Sequence, residues 1–129
     1  MTQRNVEVMD TIVNKMAQGE KLSQALKSVY FKRHVSIPFD EKWFDVSVTT
    51  LRMSSRATNS LMRAKLRKIS DVVDYCQTHK ITDIVNLGEK TGIEIFETIL
   101  DYCWAHMADD EKASFLIDTV EQNSAYLRR

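Results

Sequence analysis

Arg56 and Asn59 stand three residues apart behind Ser54-Ser55, while Lys90 and Thr91 follow directly on Asn86-Leu87-Gly88-Glu89. Ser54 or Ser55 suits the N-cap of a helix, and the spacing then puts Arg56 and Asn59 on one helical face. An arginine there can enter a groove of negative potential, and an amide beside it can donate to a base edge or a phosphate. The second piece predicts a tight turn, with Gly88 where a Cβ is not tolerated, opening another helix. Amides at such a helix start point outward and attract phosphate, and Lys90 adds a point charge. Together the two pieces predict a device that grips a phosphate backbone. Taken singly, each has a blander reading: a charge run is usually a solvated helical face, and a glycine often just ends a helix. Their occurrence within one stretch, Leu51 to Leu100, favours the grip.

Charge distribution supports this more than net charge does. Lys plus Arg and Asp plus Glu are 18 each, for a formal net charge of +0. Yet Leu51 to Ile69 holds no acid and contains Arg52, Arg56, Arg63, Lys65, Arg67 and Lys68, whereas acids dominate from Glu94 until Arg128 and Arg129. The expectation is a basic face on a neutral protein.

A second constellation is the pair Cys76-Gln77-Thr78-His79 and Cys103-Trp104-Ala105-His106. Two Cys-x-x-His pairs could supply the four ligands of a tetrahedral zinc. Structural zinc spacings usually pair Cys with Cys on turns, however, and both thiols fall on apolar stripes, so the preferred reading is two small buried side chains with no metal and no cofactor. Two cysteines make no disulfide framework, which suits a reducing compartment. Catalysis finds little support: His34 stands in a basic, broken stretch without a partner, Asp109-Asp110-Glu111 reads as a helix start favoured by the dipole, and no nucleotide loop or nucleophile motif occurs. The protein is expected not to be an enzyme.

The elements that must hold these residues are helical. Hydrophobic content of 43% with 3 Gly and 1 Pro in 129 residues is globular and favours helices. Asn5 predicts the cap of a first helix with Val6, Met9, Ile12, Val13 and Met16 on one face and Gly19 as its stop. A second carries Leu22, Ala25, Leu26, Val29 and Tyr30, with Lys27, Lys32 and Arg33 outside. Two such helices cannot bury their stripes alone. They must pack on each other and on something further along the sequence, or on a second molecule, which makes them the candidate surface for a homodimer. Val35 to Asp40, around Pro38, breaks the periodicity, and Phe44, Val46 and Val48 alternate as an extended arm rather than a true strand. Next comes a helix to about Lys65 with Ala57, Leu61 and Ala64 inward. Another starts at Ser70-Asp71 with Val72, Val73 and Cys76 inward, and a third at Thr82 or Asp83 with Ile84 and Val85. The helix after Gly88 carries Ile93, Phe96, Ile99, Leu100, Cys103 and Trp104. A last one is capped by Asp109 or Asp110, with Phe115, Leu116, Thr119 and Val120 as its face. Trp43, Phe44, Phe96 and Trp104 read as packing residues. The domain expectation is an N-terminal helical extension over 1–37 and a helical domain over 38–129, its core at 51–104 and its C-terminal helix at 109–123. No run is long and apolar enough to span a bilayer and no signal core is present, so a cytoplasmic protein is expected.

The order Leu51, Met53-Ser54-Ser55-Arg56-Ala57, Asn59-Ser60-Leu61, Arg63-Ala64, Ile69-Ser70-Asp71-Val72, then Asn86-Leu87-Gly88-Glu89-Lys90-Thr91 and Glu94-Ile95 to Leu100 resembles the C-terminal domain of the bacterial RNA polymerase alpha subunit. The resemblance covers roughly the central fifty residues. It implies an all-α, compact bundle of short helices with a helix-hairpin-helix-like element, binding the DNA minor groove at A/T-rich sequence and contacting transcription factors. It further implies Arg56 as the groove-inserting arginine with Asn59 beside it, and Gly88, Lys90 and Thr91 as the turn that holds the backbone. Ser60 and Arg63, on the Arg56 helix, complete the DNA-binding set. The N-terminal half does not resemble the alpha subunit's assembly domain, so the module is expected to stand in a separate protein. One departure matters: where the family commonly has a basic residue after the turn glycine, this sequence has Glu89. The expected function is therefore DNA binding in transcription. The alternative is a protein-interaction module for RNA polymerase, a sigma factor or a regulator, with the DNA grip lost.

Overall fold

The computed structural model describes residues 1–30, 36–39, 41–43 and 45–128. The fold is all-α, as the composition and patterning predict. Its helices are α1 (Gln3–Ala17), α2 (Leu22–Val29), α3 (Ser55–Arg63), α4 (Ile69–Thr78), α5 (Glu89–Ala105) and α6 (Asp109–Gln122), joined in places by single turns of 3-10 helix. No described helix is long and apolar enough to cross a membrane. Lys32, Arg33, His34, Val35, Asp40 and Phe44, given parts in the sequence reading, lie outside the described residues.

The protein folds into two units, Met1–Pro38 with Trp104–Arg129, and Phe39–Cys103. In the first, α1 packs on α2 and on α6, which buries the α2 stripe and Ile12 of α1, while Val13 of the expected α1 stripe is 43% exposed. Ile12, Leu22, Ala25, Leu26, Tyr30, Phe115, Leu116 and Val120 are its buried apolar residues. The cap of α1 is Thr2, whose Oγ1 accepts the amide of Asn5 at 3.1 Å; Asn5 itself lies one turn in and is buried. Gly19 ends the helix at φ +99, a backbone state open chiefly to glycine. Helix α6 opens after Ala108, whose amide donates to Glu111 Oε1 at 3.0 Å, so neither Asp109 nor Asp110 is the cap. At its other end the fully buried Asn123 accepts the Ser36 amide on Oδ1 (2.6 Å) and donates Nδ2 to the Ser36 and Thr119 carbonyls (2.8 and 2.7 Å). One side-chain amide thus stands in for a strand partner to Ser36, and these bonds satisfy the polar groups of the buried Asn123, which would be costly unpaired. Trp104, read as packing, is half-buried against the Phe115 ring, centroids 6.1 Å apart.

In the second unit the segment before α3 is an arm rather than a strand. Ser47 and Lys68 form one isolated bridge, with Val48 N–H donating to Arg67 O (2.9 Å) and Ile69 N–H to Val46 O (3.0 Å). Trp43 is buried and meets Tyr102 edge-on at 6.3 Å. Ala57 and Leu61 of α3 and Val72 of α4 point inward. Three expectations need correction. Cys76 is exposed, because α4 offers the core only Ile69 and Val72 before it ends. The helix expected from Thr82 or Asp83 is a single 3-10 turn, Ile81–Asp83; Ile84 goes inward and Val85 is 78% exposed. The buried stripe of α5 is Gly92, Ile95, Ile99 and Cys103, with Leu100 beside it. Ile93 and Phe96 sit one residue, about 100° of helix, away from that line, and Phe96 is 39% exposed.

Candidate nucleic-acid interface

Helix α3 carries the first group of residues. Ser54 is its N-cap, Oγ accepting the Ala57 amide at 3.2 Å, which fixes the helical phase. Ala57 and Leu61 then point into the core and Arg56, Asn59 and Arg63 to the outside. Ser60 does not join them at the surface: it is 1% exposed, and its hydroxyl receives Arg63 Nη2 at 3.4 Å. Its place is support for Arg63. At the C-terminus of α3 Lys65 adopts φ 62, and Leu66 N–H returns to Leu61 O at 2.9 Å, the closure of a helix end whose left-handed residue is usually glycine.

The second group opens α5. Gly88 precedes Glu89 at the N-cap position, and its carbonyl accepts the Gly92 amide at 3.0 Å. A glycine cap has no side chain to occupy the amides of the first turn, which lack intrahelical acceptors. Gly88, Glu89 and Lys90 are exposed and Thr91 half-buried. The turn differs from the expectation in one respect. Gly88 does not need the freedom of glycine: its φ is not left-handed and a Cβ there would meet nothing within 4 Å. The left-handed residue is Asn86, φ 64, with Leu87 N–H closing the turn on Ile84 O at 3.1 Å. Asparagine tolerates that state better than most residues. The glycine that must stay small is Gly92, where a Cβ would sit 2.7 Å from Ile81 Cγ2.

Sequence reasoning missed the side chain that joins the two groups. Glu94, in the second turn of α5, accepts the Ser54 amide on Oε2 (2.8 Å) and the Ser54 hydroxyl on Oε1 (2.7 Å). The carboxylate also lies at the positive end of the α3 dipole. Arg56 is two residues from Ser54, and Lys90 and Thr91 are one helical turn from Glu94, so this bond brings the Arg56 face and the α5 start to one end of the unit. The partners are 40 residues apart in sequence, and no local pattern announces such a pair.

Arg52, Arg56, Arg63, Lys65, Arg67 and Lys68 are all exposed. Lys68 Nζ pairs with Asp45 Oδ1 at 3.3 Å. The two Cys-x-x-His pairs stay apart in character: Cys103 is wholly buried, Cys76 exposed, and the His79 ring stacks on Tyr75 (4.4 Å) with Nδ1 against Thr78 Oγ1 (2.9 Å). Among the described residues no three His, Cys, Asp or Glu side chains gather as a metal site requires.

The second unit is thus a small helical domain whose basic helix and glycine-capped helix start are locked together by one carboxylate. Residues 38–101 match the family of the C-terminal domain of the bacterial RNA polymerase alpha subunit, and this segment is an alpha-C-terminal-domain-like domain. Among curated proteins the sequence is similar to the DNA-directed RNA polymerase subunit alpha of Gracilaria tenuistipitata var. liui, 36% identical over 61 residues, which are 47% of this protein and 19% of that one. It is also similar to the subunits of Rhodomonas salina (31% over 90 residues, 65% and 28%) and Chlorokybus atmophyticus (28% over 105 residues, 81% and 32%). The match therefore spans about a third or less of the length of these relatives. No solved structure matches it.

Proposed function

We propose that the protein is a transcription-associated DNA-binding module, not an enzyme, that works in the cytoplasm and grips the minor groove of A/T-rich duplex through its alpha-C-terminal-domain-like domain. The observation that carries this reading is the Glu94–Ser54 link, which holds the Arg56 helix and the glycine-capped start of α5 at one end of the unit. In this reading Arg56 enters the groove, Asn59 lies beside it, and the α5 amides with Lys90 and Thr91 take a backbone phosphate. Arg63 follows Arg56 on the same face, held by Ser60. The α4–turn–α5 pair supports a helix-hairpin-helix-like role for the clamp. One small module makes few phosphate contacts, so affinity is modest at physiological salt, and association with RNA polymerase, a transcription factor or a second copy would raise it.

A second reading has one observation behind it. Glu89 is exposed in the first turn of α5, where its charge opposes an incoming phosphate. On that reading the fold serves as a protein-interaction module for polymerase, a sigma factor or a regulator. Binding of the full-length protein to an A/T-rich duplex at two salt concentrations, for wild type and Arg56→Ala, separates the two. DNA binding requires a salt-dependent affinity that the substitution weakens, and a wild type that ignores the duplex leaves the interaction module.

A further inference from the structure

The positive charge of the second unit does not stop at the Arg56 end of α3. Arg56 and Arg63 are seven residues, two helical turns, apart, so both lie on one face about 10 Å from each other. Beyond the helix, Lys65 and Arg67 continue the exposed line, while Leu66 between them turns into the core. This alternation is fixed by backbone bonds on both sides: Lys65 N–H to Met62 O (3.0 Å), Leu66 N–H to Leu61 O (2.9 Å), and Val48 N–H to Arg67 O (2.9 Å). Asp71 is the acid nearest this segment in the sequence, and its Oδ2 is engaged by the Arg67 and Lys68 amides at 2.9 and 3.0 Å. Among the described residues no carboxylate forms an ion pair with Arg63, Lys65 or Arg67, whereas Lys68 has Asp45.

Three exposed cations without an acidic partner among the described residues form a positive surface that attracts a polyanion, and they are held on a defined backbone. Arg63, about 10 Å along α3 from Arg56, carries the positive face beyond the residue read as entering the groove. We propose that Arg63, Lys65 and Arg67 form a second contact strip that follows the sugar-phosphate backbone of the duplex away from the groove entered at Arg56. The proposal rests on the DNA-binding reading and adds the path of the strand. An acidic protein surface would satisfy the same charges, but the strip continues the exposed face of Arg56, which favours the duplex held there.

The test is the salt slope of DNA binding by the full-length protein. Each neutralised phosphate contributes about −0.9 to the slope of log affinity against log salt, so Arg63→Gln/Lys65→Gln/Arg67→Gln should flatten it by about 2.7. Between about 50 and 200 mM salt the affinity loss should then shrink by about 40-fold relative to wild type. The charge-keeping variant Arg63→Lys/Lys65→Arg/Arg67→Lys should retain the wild-type slope, which separates charge from folding. A triple-Gln variant with the wild-type slope overturns the strip and leaves the Arg56 site standing. A wild type without salt-dependent binding overturns both the strip and the DNA reading beneath it.

Discussion

Gly88 and Gly92 stand four residues apart and meet opposite demands. A Cβ at Gly92 would come within 2.7 Å of Ile81 Cγ2, so Gly92→Ala overpacks the core and should lower stability by about 1–3 kcal/mol in urea unfolding. At Gly88 the space is open, and Gly88→Ala should cost no more than about 1 kcal/mol, the range of an N-cap change, while weakening DNA binding because a methyl group then stands over the amides that take phosphate. Gly88→Ala with full DNA affinity would remove that turn from the interface. The sequence reading placed the steric demand at Gly88 and assigned none to Gly92. Which glycine meets a side chain depends on where Ile81 packs, and that is a tertiary fact. Arg56 and Asn59 were legible because helix phase follows directly from the Ser54 cap, whereas the burial of Ser60, one residue on, depends on where α3 meets the core.

At the scale of elements, one carboxylate links two helices. Glu94 receives both the amide and the hydroxyl of Ser54, and charged hydrogen bonds of this kind contribute about 1.5–3 kcal/mol when shielded and less when open to water, as here. Glu94→Ala and Ser54→Ala should each destabilise by about 1 kcal/mol, with Ser54 also losing its cap. In a double-mutant cycle their effects should fall short of additive, and additive losses would show the link to be idle. The helices themselves were largely readable from periodicity, since α2, α3 and α6 bury the faces their patterns predict, whereas on α1 only Ile12 of the expected stripe is buried and Val13 is exposed. The failures share a cause: Ile84-Val85 and Ile93-Phe96 are apolar, and apolar character alone cannot say which residue of an adjacent pair turns inward. Val85 sits at a turn tip and Phe96 beside the buried line of α5.

For the molecule as a whole, the all-α class followed from few glycines, one proline and repeated three-and-four spacing, and the basic segment over Leu51–Ile69 emerged as six exposed cations. What covers the N-terminal stripes was not legible, because α6 joins α1 from the far end of the sequence. Each unit also buries one titratable group: burial pushes the Tyr30 phenol from 10.0 to about 12 and the Cys103 thiol from 9.0 to about 12. The folded protein therefore holds protons that the unfolded one has released, so these two groups should make stability fall as pH rises from 9 towards 12. Cys103→Ala should flatten the early part of that fall and Tyr30→Phe the later part, read from urea midpoints across pH. Because the Tyr30 hydroxyl has no hydrogen-bond partner among the described residues, its removal costs no bond. The central claim remains that the Arg56 face and the start of α5 act together on DNA. Its most direct test is the affinity of the full-length protein for an A/T-rich duplex, measured at low and physiological salt, with Arg56→Ala alongside. Binding that falls with salt and weakens by roughly 5- to 150-fold on Arg56→Ala, about 1–3 kcal/mol, is the predicted result; a wild type that does not bind, or a variant that binds as well as wild type, would contradict it.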